Sequence, residues 1–176
     1  KLESLLNDLP FEILPPNWTT FDLEAFSRSK KMWDYQQDAL QNALKALWKY
    51  YDEIYDYTTS ELKSANDKRK ARFMEWYQEN EIPLEPTLPL GKKRDNAALL
   101  INYFPVENNT IPYQHFINRM GFWMATGSGK TLVIVKLIEL LVSLMKRGEI
   151  PVRDVLMLTH REDLIQQLRE HVNDYN

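Results

Sequence analysis

The stretch from Phe122 to Thr131, FWMATGSGKT, decides the fold that we expect for this chain. It is typical of a strand end, a turn that contains glycines and a helix start, and it closes in Gly-Lys-Thr. Backbone N–H groups in such a turn and at the helix N-terminus point at an anion, and the helix dipole favours negative charge there. Glycine suits the turn because a Cβ would block close approach or forbid a positive φ. The stretch therefore predicts a loop that binds the phosphates of a nucleotide.

The residue types at the end of this loop predict ATP and Mg²⁺ as the cofactors. Lys130 is placed to reach the β- and γ-phosphates, and the Thr131 hydroxyl to ligate Mg²⁺. These two are the predicted catalytic residues, and backbone amides surround the phosphates. The predicted phosphate-binding residues are Ala125, Thr126, Gly127, Ser128, Gly129, Lys130 and Thr131. The complete motif would have glycine where this chain has Met124, which leaves a chance glycine turn as the alternative.

Composition sets loose limits on the class of protein. With 44% hydrophobic and 27% charged residues in 176, the chain can bury a core. A net charge of −3 means that any nucleic-acid binding depends on a local patch. The absence of cysteine excludes disulfides and fits a cytoplasmic protein, and three scattered histidines are a poor basis for zinc. The longest apolar run, 131–145, is too short to span a bilayer, so we expect no membrane partner.

The first half of the sequence predicts helices. Proline and glycine after residue 82 predict a linker, so we expect a helical region at 1–90 and a second domain at 91–176. Thr58-x-x-Glu61 is typical of a capping box. The predicted helices are 1–9, 20–27, 32–57 and about 58–79.

The second half predicts an α/β fold. Strands are expected at 98–104, 121–125 and 152–159, and helices at 130–146 and 161–171, with a turn at 107–109 and a helical turn at 113–118. This β–loop–α–β–α order favours a parallel sheet with right-handed crossovers.

Three observations predict that the chain covers only part of such a domain. The helix after Lys130 is apolar nearly all round and needs cover on most sides. An ATPase also needs an acidic residue at a later strand end, and no aliphatic strand ending in Asp-Glu follows Thr131. Asp52 and Glu53 lie upstream and are interpreted as a charged helix face. The chain also begins at Lys1 without methionine, as expected of a fragment.

Three elements in order resemble superfamily 2 helicases and translocases. Residues 124–131, MATGSGKT, resemble motif I, in which the first glycine is commonly replaced. Residues 155–167 resemble motif Ia, and Arg161-x-Asp163-Leu164-x-x-Gln167 is similar to the form in motor subunits of type I and type III restriction enzymes. Residues 33–40, WDYQQDAL, are similar to the adenine-reading Tyr-Gln element that precedes motif I.

The resemblance implies an incomplete RecA-like P-loop ATPase domain preceded by a mainly helical region, with residues 45–118 as an insertion. It implies an ATP-dependent DNA helicase or translocase that acts on duplex DNA beside restriction, modification or defence subunits, and a fragment that is inactive alone. By the same resemblance, Gln36 reads adenine, and Thr159 and Arg161 contact the nucleic-acid backbone.

Each of these roles has a structural alternative. Gln36 can be part of a helix start, Thr159 a helix cap and Arg161 a surface charge. The basic clusters at 68–72 and 92–94 can contact phosphates, but solvated charges are the preferred interpretation.

Three other functions stay open. An RNA helicase would share the motifs, whereas a small-molecule kinase would lack motif Ia. A non-catalytic interaction module would use the helices of residues 32–80 to dock a partner.

Overall fold

Helices dominate the computed structural model, which describes residues 2–62, 64–82, 88–89, 101–108, 110–115, 117–159 and 162–175. The helices are α1 (Leu2–Asn7), α2 (Pro16–Thr19), α3 (Asp34–Trp48), α4 (Ser64–Glu79), α5 (Lys130–Arg147) and α6 (Glu162–Tyr175). A π-helical turn, Lys49–Glu53, continues α3, and 3₁₀ turns lie at Phe11–Ile13 and Tyr113–His115. Strand β1 (Leu88–Pro89) pairs antiparallel with β2 (Thr110–Ile111).

The first core joins the N-terminal region to α5. Leu140 and Leu144 of α5 are completely buried, as are Trp18 of α2 and Leu40 of α3. The N-terminal helices and α6 therefore cover much of the apolar surface that the sequence predicts for α5. Burying such side chains stabilises the fold by about 1.5–3 kcal/mol each. The remaining buried members of this cluster are Leu14, Leu23, Phe26, Met32, Leu44, Trp48, Val133, Val135 and Ile150.

A second, smaller core lies around α4. Its buried members are Tyr50, Phe73, Tyr77 and Ile117. Tyr51 packs against both clusters. The two cores are therefore in contact through the π-helical turn.

Arg69 shows that the predicted basic cluster at 68–72 is not a uniform solvated face. Its side chain is 1% exposed, forms an ion pair with Glu61 and lies against the rings of Tyr51, Tyr55 and Tyr57 at 5.2–5.5 Å. Burial inside this ring of tyrosines gives Arg69 a packing role. The other basic cluster, 92–94, lies outside the described residues.

Two helix predictions need correction. The predicted helix at 20–27 is wrong, because the carboxylate of Asp22 accepts the N–H groups of Glu24 and Ala25 and the chain turns there. Helix α4 begins at Ser64, later than the predicted capping box, although the Thr58 N–H does donate to Glu61 at 3.3 Å.

The predicted parallel sheet is not confirmed. Residues 121–125 and 152–159 belong to no strand, and 101–104 have helix or turn geometry, while 98–100 lie outside the described residues. Leu156 and Leu158 are each 80% exposed. A strand forms only when another segment pairs with it, and apolar β-branched composition does not supply that segment.

Among the described residues, no helix combines the length and the apolar character needed to cross a bilayer.

Candidate phosphate-binding site

The predicted phosphate loop leads directly into α5. Gly127 and Gly129 adopt left-handed backbone conformations, with φ of 79° and 74°. These values confirm that the turn needs glycine at both positions, since other residues avoid this region. Residues 125–127 are exposed, so the outer side of the loop is open to a ligand.

Gly129 is the N-cap of α5. Its carbonyl oxygen accepts the N–H groups of Leu132 at 2.9 Å and Val133 at 3.3 Å. The first N–H groups of any helix lack partners within it, and here they follow the loop immediately. This end of α5 therefore offers N–H donors and the positive end of a helix dipole to an anion.

Lys130 lies over the loop. Its Nζ donates to the carbonyl oxygens of Met124 at 2.8 Å and Ala125 at 2.7 Å. The side chain is exposed, so phosphate oxygens can reach the ammonium group without displacing core residues. Lysine serves phosphate binding as a compact point charge with three N–H donors.

Met124 explains why the loop tolerates the departure from glycine. Its side chain is half-buried and packs against the first core, as does that of Phe122. Only its carbonyl oxygen takes part in the loop, through Lys130. A side chain at this position therefore attaches the loop to the core.

The start of α3 contacts the loop from the other side. Gln36 Nε2 and the Tyr35 hydroxyl both donate to the carbonyl oxygen of Ser128, at 2.8 Å and 2.9 Å. The sequence analysis predicts that Gln36 contacts the nucleotide, but it predicts no contact for Tyr35. The signal was present in the adjacent Tyr-Gln pair.

A cavity of about 750 Å³ opens beside the loop. It lies between α1, α3 and residues 119–125, and it reaches the loop at Ala125 and Ser128. Trp123 at its rim is fully exposed. The cavity has the size of a small-molecule site.

The predicted Mg²⁺ ligand, Thr131, lies half-buried in the first turn of α5. A hydroxyl oxygen suits Mg²⁺, which prefers hard oxygen ligands and commonly shares them with phosphates. In the part of the chain that the structure describes, no group of three or more acidic, histidine or cysteine side chains is arranged to hold a metal ion. Thr131 thus fits one position of a site that nucleotide phosphates would complete.

Of the two predicted nucleic-acid contacts, Thr159 and Arg161, the structure describes only Thr159. Thr159 is half-buried at the end of residues 152–159, shortly before α6. Arg161 and His160 lie outside the described residues.

A family model described as "Type III restriction enzyme, res subunit" matches residues 29–176. The match includes the Tyr-Gln pair, the phosphate loop and the segment that resembles motif Ia. It confirms the predicted resemblance to restriction-enzyme motor subunits. No curated protein and no solved structure matches the chain significantly.

Proposed function

Because this chain belongs to the family of the type III restriction enzyme res subunit, we propose that it is the ATP-binding part of a DNA helicase or translocase of restriction-enzyme type. In this proposal, the complete subunit hydrolyses MgATP and couples hydrolysis to movement on duplex DNA. The observation that carries it is the loop with Gly127 and Gly129 in left-handed conformations, followed at once by Lys130 at the start of α5.

Each loop residue has a defined role in this proposal. Backbone amides of residues 125–131 surround the phosphates, and the Lys130 ammonium balances the charge that develops on the β- and γ-phosphates. Mg²⁺ supplies further charge neutralisation when it is bound, and the Thr131 hydroxyl holds it. The cavity beside α3 provides room for the nucleoside.

Membership of the family supports the remaining roles in this proposal. Thr159 and Arg161 contact the DNA backbone, and restriction, modification or defence subunits are the protein partners. We also propose that the 176 residues bind nucleotide without turning it over, since hydrolysis needs an acidic residue to orient the attacking water.

Nucleotide binding by the 176-residue chain is the first test. A fluorescent ATP analogue with Mg²⁺ should bind the unaltered chain, and Lys130→Ala should weaken binding at least about tenfold, as expected for losing a charged contact to phosphate. Lys146→Ala is the matched control, because Lys146 is an exposed lysine at the far end of the same helix. Equal binding by all three proteins would contradict the proposed site.

Hydrolysis by the complete subunit is the second test. Duplex DNA should stimulate ATP hydrolysis, and Lys130→Ala should abolish it. Stimulation by RNA instead would indicate an RNA helicase. Full biological activity in Lys130→Ala would indicate a non-catalytic interaction module.

A further inference from the structure

One carbonyl group of the phosphate loop accepts two hydrogen bonds from the same helix start. The Ser128 oxygen lies 2.8 Å from Gln36 Nε2 and 2.9 Å from the Tyr35 hydroxyl. Two donors satisfy both lone pairs of a carbonyl oxygen. The orientation of this peptide group is therefore held by α3 and not by the loop alone. We refer to this arrangement as the Ser128 contact.

Both polar atoms of the Gln36 amide have a partner within the protein. Its Oε1 accepts the N–H of Trp33 at 2.8 Å, and its Nε2 donates to Ser128. The side chain is 1% exposed. These two partners fix the orientation of the amide. In the reversed orientation, Nε2 would face the Trp33 N–H and Oε1 would face the Ser128 carbonyl oxygen, and neither pair can form a hydrogen bond. Gln36 is thus a buried link between the cap of α3 and the loop.

The absence of a side chain at Gly129 makes room for this contact. A Cβ on Gly129 would lie 2.6 Å from Gln36 Nε2, which is closer than Cβ atoms approach other heavy atoms in proteins. By contrast, a Cβ on Gly127 would meet no atom within 4 Å. Of these two glycines, only Gly129 lies so close to α3 that a side chain would collide with it.

The geometry of a peptide unit links this contact to the anion side of the loop. A trans peptide is planar, with its N–H and C=O groups pointing in opposite directions. Holding the Ser128 carbonyl toward α3 directs the Gly129 N–H away from α3, toward the open side of the loop. The neighbouring glycines have a soft backbone, so without the contact this peptide would be restrained only by the backbone bonds on either side of it, from the Ser128 N–H to Ala125 and to the Gly129 carbonyl from α5.

From these observations we infer that Tyr35 and Gln36 are positioning residues, which hold the Ser128–Gly129 peptide in the orientation that binds phosphate and so set affinity for nucleotides whatever their base. The inference rests on the proposed function of the loop. It differs from the predicted role of Gln36 as a reader of adenine. Base reading needs an amide that faces the nucleotide, whereas the Gln36 amide is buried and each of its two polar atoms already bonds within the protein.

Two variants test the inference in the 176-residue chain. Tyr35→Phe removes the hydroxyl and keeps the ring, which is 49% exposed, so folding should be preserved. Gln36→Met keeps the length of the side chain and removes the amide. Tyr103→Phe is the control, because Tyr103 is 79% exposed and does not line the cavity.

The readout is affinity for fluorescent ATP and GTP analogues, measured side by side. Tyr35→Phe should weaken both by the same factor, about three- to tenfold, as expected for one neutral hydrogen bond. Gln36→Met should leave the ratio of the two affinities unchanged as well. A loss confined to ATP would overturn the inference in favour of base reading, and unchanged affinities for both would also overturn it.

Hydrogen exchange separates this inference from the proposed function. In the unliganded chain, amides of residues 127–131 should exchange faster in Tyr35→Phe than in Tyr103→Phe, while the melting temperature stays the same. If the unaltered chain binds no nucleotide, the proposed function fails, and exchange still decides whether the contact orders the loop. Unchanged exchange would overturn the inference.

Discussion

Gly127 and Gly129 have the same backbone conformation but should differ in how well they tolerate substitution by a residue with a side chain. Both have φ between 74° and 79°, which costs a residue with a side chain roughly 1–2 kcal/mol. Only Gly129 adds a steric conflict, because its Cβ would meet Gln36 at 2.6 Å. The Gln36 side chain can move aside only by giving up its bonds to Trp33 and Ser128.

We therefore expect Gly129→Ala to destabilise the chain more than Gly127→Ala. Gly127→Ala should lower the free energy of unfolding by about 1 kcal/mol, the cost of the backbone conformation alone. Gly129→Ala should cost at least about 1 kcal/mol more, since it also breaks a buried hydrogen bond. Urea denaturation of both variants measures the difference. Equal costs would mean that Gln36 yields without loss.

At this scale the sequence predicted the residues of the loop but not their mutual contacts. Glycine, lysine and threonine in this order have one well-understood use, so the loop could be predicted from local sequence. The contact of the Tyr35 hydroxyl could not, because its partner lies 93 residues away and the Tyr-Gln pair does not indicate which backbone group accepts the bond. The roles of Gln36, Thr159 and Arg161 stay predictions.

Among the elements, α5 was the most predictable. Its apolar run and its basic last turn are local signals, and Gly148, with φ of 77°, ends it as a left-handed C-cap should. The failed helix at 20–27 has the opposite cause. Asp22 offers its carboxylate to the backbone of the next residues, and such local bonds compete with helix formation.

The π-helical turn after α3 places an acidic residue in an unfavourable position. Burial raises the pKa of Asp52 above its ordinary value, and the negative charges of Glu149 and Asp56 add to the rise, while a hydrogen bond from Trp48 opposes it. The folded state therefore binds a proton more tightly than the unfolded chain. The contribution of Asp52 to stability is fully present below pH 3.8, the ordinary pKa of the carboxyl group. It is lost as the pH rises through the raised pKa of the folded state.

Asp52→Asn should remove the loss of stability that ionisation of Asp52 causes at neutral pH. The amide oxygen can still accept the indole N–H of Trp48, now at 3.0 Å, and carries no charge. At pH 7 the variant should be more stable than the unaltered chain, by less than about 1 kcal/mol, and the gain should shrink as the pH falls toward 4. Thermal melts across this range measure it. A gain that does not depend on pH would contradict the electrostatic explanation.

The whole molecule combines two cores that share Tyr51. Arg69 of α4 contacts the shared Tyr51, pairs with Glu61 and is surrounded by tyrosine rings. Because the shared residue links the clusters, we expect one cooperative unfolding transition rather than two.

Arg69→Ala tests this expectation. It leaves Glu61 without its buried partner and should cost about 3–5 kcal/mol. Arg72→Ala, on the exposed side of the same helix, should change stability by no more than about 0.5 kcal/mol. Circular dichroism should show a single transition at lower temperature, and amides of α5 should lose protection together with those of α4. Loss of protection in α4 alone would indicate two independent units.

The distance along the chain between α3 and the loop has a consequence for the order of events during synthesis. Gln36 and Ser128 are 92 residues apart. A ribosome needs roughly 5–20 s to make that interval at ordinary rates of elongation. Throughout this time, the N-terminal helices are exposed without α5, whose apolar side chains will cover them. Nucleotide can thus stabilise the fold only after the loop and α5 have been made, and until then the earlier helices depend on their own contacts or on chaperones.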